Sequence, residues 1–299
     1  MKGIILAGGS GTRLFPITKC ISKQLLPIYN KPMIYYPLSV LMLLGIKEVL
    51  IISDSKNIKN FSKLLEDGKD IGIKIEYNIQ DEPNGIAEAI LIGEKFIGKD
   101  PVCLALGDNI FYGNDLADHL MMGADDIVTG AAECVVFGYQ VKNPQDYGVA
   151  EFKKDGSVIS IEEKPVNPKT DWAVTGLYMY NNTCVEKTKN LKPSSRNELE
   201  ITSLNNEYVK EKSLKLVQLG RGHAWFDTGT FESFYEATNF IRSVENRQGL
   251  MIGNIHEIAY RYGYTSNDDL LNFINKCGKN DYRDYLQRLV NDPRQEQVQ

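Results

Sequence analysis

The chain has 299 residues, 42% of them hydrophobic and 24% charged, and 34 Lys plus Arg against 39 Asp plus Glu leave a net charge of −5. That is an ordinary globular composition, long enough for one large α/β domain with appendages and for a core that needs no staples. No block of like charges argues for a nucleic-acid tail or a polybasic membrane patch, so a polyanionic substrate has to be met by local cations.

In chain order, GIILAG (3–8) is a short apolar run closed by glycine and reads as a buried strand, as do VLIIS (49–53), IKIEYNI (73–79) and VCLALGD (102–108). Helical patterns alternate with them. KPMIYYPLSVLMLLG (31–45) has Pro32 near a first turn and stops at Gly45, with Pro37 expected to kink it or delay its start. GIAEAILIGEKFIG (85–98) repeats apolar residues at helical spacing. Strand–helix–strand alternation with continuous apolar strands predicts an α/β, Rossmann-like, mostly parallel sheet flanked by helices. Its ligands belong beyond the carboxyl ends of the strands, where the glycine-rich loop and Gly107–Asp108–Asn109 fall.

After about residue 135 the texture changes to β-rich. GVAEFKKDGSVISIEEKP (148–165) reads as a hairpin turning at Lys154–Asp155–Gly156, and WAVTGLYMYN (172–181) as a further strand. Helices are expected at 198–211 and 230–249, and two more, opening with cap-type residues, in the last 40 or so residues. The cysteines Cys20, Cys103, Cys134, Cys184 and Cys277 are scattered, odd in number and without a CxxC, which predicts reduced thiols and a cytoplasmic setting. No signal-peptide pattern opens the chain and no apolar run is long enough to span a membrane. His119, His223 and His256 fit no triad or zinc spacing and read as structural or surface residues.

The opening loop carries the first chemistry. From Gly9, the sixth position of a dinucleotide fingerprint is Leu14; from Gly8, the sixth position of a Walker A loop is Arg13, so both patterns fail. What remains is LAGGSGTR, with glycines whose backbone N–H groups can approach an anion and an arginine fork suited to phosphate oxygens. A plain turn using glycine for its dihedrals is the competing reading.

LAGGSGTRL followed by SKQLLPIYNKPMIYYPL (22–38) resembles the sugar-phosphate nucleotidyltransferases, and LGDNIFYG, YGVAEF, IEEKP, VTGLYMY, ELEIT, AWFDTGT and ENRQG follow in the family's order over nearly the whole chain. The likeness is strongest to the thymidylyl-transferring branch. It implies a single displacement in which glucose 1-phosphate attacks the α-phosphorus of dTTP, pyrophosphate leaves and dTDP-glucose forms. Such chemistry calls for positioning and cations more than for covalent catalysis.

By the resemblance, Leu6, Gly8, Gly9, Ser10, Gly11, Thr12 and Gln24 cradle the nucleotide, and Gln80 and Gly85 read the base. Arg13 holds the leaving phosphates, Lys23 contacts the reacting ones, and Asp108 and Asp227 hold Mg²⁺. Tyr147, Gly148, Glu163, Lys164, Val174, Gly176, Arg196 and Trp225 surround the sugar phosphate. Taken singly, Lys23 could be a solvated lysine, Asp108 a turn cap, Asp227 a helix cap and EEKP a solvated strand end. The resemblance further implies a nucleotidyltransferase domain over 1–240 (nucleotide half about 1–135, sugar-phosphate half about 136–240). A helical segment, 241–299, would make oligomer or regulatory contacts. It also implies a homotetramer with a second, feedback nucleotide site near Arg221, and no nucleic-acid or membrane partner.

The chain departs from the family pattern in the stretch 114–136, which is longer than usual, and in Glu88, Asn197, His223 and Phe226. None of these removes a charged group of the proposed site. The competing functions are uridylyl transfer on the same fold and a non-catalytic nucleotide-sugar sensor; the second should have lost one of Arg13, Lys23, Asp108 and Asp227, and all four are present. A nicotinamide dehydrogenase fails at the fingerprint's sixth position.

Overall fold

Alternating apolar strands and amphipathic helices build a sheet whose two faces are both covered, in a computed structural model that describes residues 1–9 and 11–291. The first half contributes β1 (Lys2–Leu6), the short pair β2 (Pro27–Ile28) and β3 (Lys31–Pro32), α1 (Tyr35–Leu43), β4 (Glu48–Ser53) and α2 (Ile58–Leu65). It continues through β5 (Lys74–Ile79), α3 (Glu88–Ile92), α4 (Glu94–Ile97) and β6 (Val102–Leu106). Next come β7 (Asn109–Gly113), α5 (Leu116–Thr129), β8 (Cys134–Gln140), the hairpin β9 (Gly148–Phe152) and β10 (Val158–Glu163), and β11 (Trp172–Tyr180). They lead into α6 (Cys184–Lys189), α7 (Ile201–Lys210), β12 (Leu214–Leu219), β13 (His223–Asp227) and α8 (Phe231–Gln248). Three further helices, α9 (Ile255–Arg261), α10 (Asn267–Lys276) and α11 (Asp281–Val290), complete the described chain.

Nine strands form the main sheet, in the order β10-β9-β11-β6-β1-β4-β5, with β8 on the other edge of β11 and β12 beyond it. The pairings make β1, β4, β5, β6, β8, β9 and β12 run one way, and only β10 and β11 oppose them. The sheet is thus mixed but dominated by one strand direction, as the alternation of apolar strands and helices predicts.

Side chains leave successive strand residues on opposite faces, and the core divides accordingly. Ile5, Val49, Ile51 and Cys103 point into one apolar cluster with residues of α1, α2, α5 and α9. Ile4, Leu50, Ile52, Val102 and Leu104 point into another with residues of α3, α6 and α7. A smaller cluster joins α8 to β2, and a fourth ties α10 to α11.

Two helices differ from the sequence expectation, each for a steric reason. Pro32 lies in β3, and α1 begins at Tyr35, which leaves Pro37 in the first turn, where a missing N–H costs nothing. The pattern over 85–98 is broken at Gly93 into α3 and α4, where the chain lies close on β1: a Cβ on Gly93 would come within 2.7 Å of Ile4 Cδ1 and displace that side chain. All five cysteines are free. Among the described residues, no helix is long and apolar enough to cross a membrane.

Candidate active site

The cleft opens at the carboxyl ends of β1 and β6, which are neighbours in register Leu6↔Leu106. It encloses about 330 Å³. After β1 the chain enters the glycine loop, with Gly9 at φ 99 and Gly11 at φ 56, conformations that a side chain rarely adopts. The loop ends in a single 3₁₀ turn, Thr12–Leu14, rather than an α-helix, so an anion here meets loop N–H groups without a long helix behind them. Thr18 Oγ1 donates to the Gly11 carbonyl at 2.8 Å, and Gln24, almost fully buried, donates Nε2 to the Gly8 carbonyl at 3.2 Å. Gln24 therefore supports the loop from below and does not line the cleft, and Leu6 is a strand end packed into the core. Ser10 lies outside the described residues.

Lys23 Nζ is ion-paired with Asp108 Oδ2, with the lysine side chain 11% and the aspartate 22% exposed. Asp227 reaches the same place by a different route. The ribbon β7–β13 is antiparallel, and its register sets Asp227 opposite Asn109, the residue after Asp108. Thr228 then donates its Oγ1 to the Asp108 carbonyl at 2.9 Å. Two carboxylates separated widely in sequence thereby face one cleft, with Arg13 and Lys164 near Asp227. Burial, and then the negative charge of Asp108, push the Asp227 carboxyl up from 3.8 to about 6. Lys23, Arg13 and Lys164 pull it the other way without prevailing. A site that makes its own carboxylate costly to ionise is short of positive charge, and hard oxygen donors of this kind suit a hard divalent cation.

Tyr147, Gly148, Glu163 and Lys164 line the opposite wall, because β9 and β10 pair Gly148 with Glu163 at one end of the hairpin. Thr202 Oγ1 donates to Glu163 Oε2 at 2.6 Å. Val174 and Gly176 of β11 stand two residues apart and so share the face that lines the cleft. Trp225 packs edge-on against Tyr147 with ring centroids 5.1 Å apart. Arg196 stands apart: it is exposed, pairs with Glu200 at 2.8 Å and lies 3.7 Å from Glu163, outside the lining.

Gln80 and Gly85 form a separate edge beside the glycine loop. Gly85 (φ 105) has no room for a Cβ, which would fall 2.4 Å from the Leu199 carbonyl oxygen. Gln80 Nε2 donates to Glu88 Oε2 at 2.6 Å and to the Gly85 carbonyl at 3.2 Å. A carboxylate only accepts, so Glu88 fixes the amide with its nitrogen inward and leaves Oε1 as the free acceptor.

Asn109 escapes the residue-type reasoning that finds Asp108. Its Oδ1 accepts from Trp225 Nε1 at 2.6 Å and from the Gly176 N–H at 3.0 Å, while its Nδ2 donates to Asp108 Oδ1 at 3.0 Å. It joins the two walls of the cleft. Its only signal in the sequence is its place after Asp108 in LGDN.

A parallel-dominated sheet with a glycine loop, paired carboxylates and convergent cations beyond its strand ends defines a nucleotide- and phosphate-handling enzyme. The model of the nucleotidyl transferase family matches residues 2–244, and the chain belongs to that family. It is 55% identical over 290 residues to a glucose-1-phosphate thymidylyltransferase of Neisseria meningitidis serogroup A, covering 97% of this chain and 99% of that protein. A solved Bacillus anthracis structure, provisionally assigned as a glucose-1-phosphate thymidylyltransferase and carrying sucrose, superposes with a TM-score of 0.75 at 38% identity over 81% of this chain and 95% of its own. A UDP-glucose pyrophosphorylase bound to UDP-glucose superposes with a TM-score of 0.71 at 27% identity, over 81% of this chain and 98% of its own.

Proposed function

We propose that the protein transfers a thymidylyl group from dTTP to α-D-glucose 1-phosphate, releasing pyrophosphate and forming dTDP-glucose. The observation that carries the reading is the convergence of Lys23, Arg13, Asp108 and Asp227 on one cleft between the glycine loop and the β9–β10 hairpin. The thymidylyltransferase relatives supply the substrate pair.

In this reading a phosphate oxygen of the sugar phosphate forms a bond to the α-phosphorus of dTTP as the bond to the bridging oxygen of pyrophosphate breaks. The loop N–H groups of Gly8, Gly9, Gly11 and Thr12 hold the triphosphate, Arg13 takes the β- and γ-phosphates, and Lys23, anchored by Asp108, neutralises charge at the α-phosphate. Glu163, fixed by Thr202, accepts from sugar hydroxyls, and Tyr147, Gly148, Val174, Gly176 and Trp225 shape the sugar wall. Lys164 balances the acceptor phosphate, and Arg196 would join it only by leaving Glu200, which holds it outside the cleft. Asp108 and Asp227 would hold Mg²⁺, which when bound neutralises phosphate charge; the raised carboxyl of Asp227 supports this fit.

Gln80 gives the base reading physical content. With Oε1 left free by Glu88, it accepts from a ring N–H, which thymine, uracil and guanine present and cytosine and adenine do not, and among these the names of the relatives favour the pyrimidines. That supports a thymidine or uridine triphosphate, and uridylyl transfer is the second reading that the UDP-glucose pyrophosphorylase neighbour favours. We place the nucleotide on residues 1–135, the sugar phosphate on 136–240, and assembly contacts of a cytoplasmic homotetramer on 241–299.

A panel of the four common triphosphates plus dTTP, each with glucose 1-phosphate and magnesium, tests the reading by pyrophosphate release. Turnover highest with dTTP supports it; turnover with UTP but none with dTTP replaces it by uridylyl transfer. Asp108→Asn should cut kcat by about 100-fold or more while the circular dichroism spectrum is kept. A sensor would show no turnover in either form.

A further inference from the structure

We propose that Asp115, His119 and His223 form a transition-metal site, of the zinc type, that is separate from the Asp108–Asp227 centre. No sequence spacing reveals it, because the ligands come from two elements: Asp115 and His119 stand one helical turn apart at the start of α5, and His223 opens β13. One ligand atom of each residue lies within 4.8 Å of the ligand atoms of the other two.

The His223 imidazole is oriented as a metal ligand is. His223 Nδ1 lies 3.3 Å from the Gly220 carbonyl and His119 Nδ1 2.9 Å from the Asp115 carbonyl. A carbonyl only accepts, so the His223 ring carries a proton on Nδ1, the outer-sphere pattern that fixes metal-bound histidines, whereas the His119 nitrogen nearest the Asp115 carboxylate is Nδ1, 3.7 Å from Oδ2, and would exchange its carbonyl contact for the ion. The His223 side chain is only 3% exposed and its Nε2 is buried without a hydrogen-bond partner. That atom points at Asp115 Oδ1, 3.2 Å away. Ligands of a tetrahedral ion with bonds of ~2.0 Å are separated by about 3.3 Å, so this pair already spans one tetrahedral edge. The contact with Asp115 Oδ1 has the length of an ion pair, and an ion seated between the two atoms would replace it.

The geometry has been given room. A Cβ on Gly113, the β7 residue paired with His223, would lie 2.4 Å from His223 Cδ2, so only glycine lets the ring lie there. Access is open from the other side, where the side chains of Asp115 and His119 are 51% and 26% exposed. Two nitrogens and one oxygen suit zinc, cobalt or nickel with a water in the fourth position, and do not suit magnesium, which takes oxygen. At ~3.3 Å per strand residue the site lies about 13 Å along β13 from Asp227, outside the cleft. A bound ion would pin the start of α5 to the β7–β13 ribbon.

The test is a titration of the metal-stripped full chain with Co²⁺ and Zn²⁺ in excess Mg²⁺, which occupies the oxygen site. We expect one Co²⁺ per chain with the visible bands of tetrahedral coordination, displacement by Zn²⁺, and a higher Tm with Zn²⁺. His119→Ala and Asp115→Asn should each weaken Zn²⁺ binding by more than ~100-fold, the upper range for losing an outer-sphere partner alone. Asp108→Asn should leave the signal intact. These two variants sit near the surface, so the test does not depend on the buried His223→Ala folding. Uptake that survives His119→Ala and Asp115→Asn, disappears in Asp108→Asn, or never exceeds trace occupancy overturns the proposal.

Discussion

Replacing Asp227 by Asn should make the protein more stable and less active at once. Its carboxyl is raised from 3.8 to about 6 by burial and by Asp108, so ionising it in the folded chain is unfavourable. The displacement corresponds to about 3 kcal/mol between the two protonation states as a ceiling, and the partial exposure of the side chain brings the expected effect to about 1–2 kcal/mol. The sign follows from linkage. A carboxyl whose folded value lies above its unfolded one holds its proton more tightly when folded, so its stabilising contribution is fully present below about pH 4 and is lost as pH rises through about 6. Asp227→Asn should therefore match the wild-type protein near pH 4 and exceed it above pH 6, with Tm higher by about 2–6 °C.

Urea denaturation at a series of pH values measures the gap directly, and turnover measured in parallel should fall by about 100-fold or more. Magnesium adds a second arm, since a cation held by Asp227 stabilises the wild-type chain by mass action and should close much of the gap. A variant no more stable than wild type at pH 8, or a gap that does not change between pH 4 and 8, refutes the reasoning.

Other expectations follow from single contacts. Lys31 and Glu245 form a buried ion pair at 2.7 Å, 1% and 5% exposed, joining β3 to α8. Lys31→Met should cost about 3–5 kcal/mol in denaturant melts by stranding the carboxylate, and Lys31→Met with Glu245→Leu should recover most of it. Glu88→Leu removes the acceptor that orients Gln80, so the kcat/KM of CTP relative to dTTP should rise about 10-fold or more. An unchanged ratio would show that Glu88 does not set the amide. His256 is stacked on Phe273 at 3.7 Å, and burial pushes it from 6.5 down to about 3. Its folded value lies below its unfolded one, so stability is kept above about pH 6.5 and falls toward pH 3, by up to about 5 kcal/mol, and His256→Gln should flatten this acid loss in a pH series of melts.

The central parallel strands were legible because β1, β4 and β6 are buried on both faces and must be continuously apolar. The hairpin β9–β10 was legible from its turn chemistry, and α8 from Thr230 and Gly249, which are its capping-box residue and left-handed stop. The ribbon β7–β13 was not. FYG and HAW follow no strict alternation, and the pairing of Asn109 with Asp227 is a long-range register that no local signal contains. Motif recognition also blurred roles. Lys31 and Glu245 stand in two of the family-like segments, YNKP and ENRQG, yet they bind each other and not the cleft.

The ribbon explains why paired carboxylates can be read from the sequence while their assembly cannot. Asp108 needs only the end of β6, a local position, to reach the cleft. Asp227 needs β13 to pair with β7 in one register, and a slip of one residue would turn its side chain to the opposite face. Asn109 guards that register by binding Trp225 from β13, Gly176 from β11 and Asp108 beside it. All three contacts are sequence-distant or flank the motif's charged residue, so a neutral amide with no chemistry of its own organises the site. The same ribbon ends at His223, so the register that delivers Asp227 to the cleft also delivers an imidazole to Asp115 and His119.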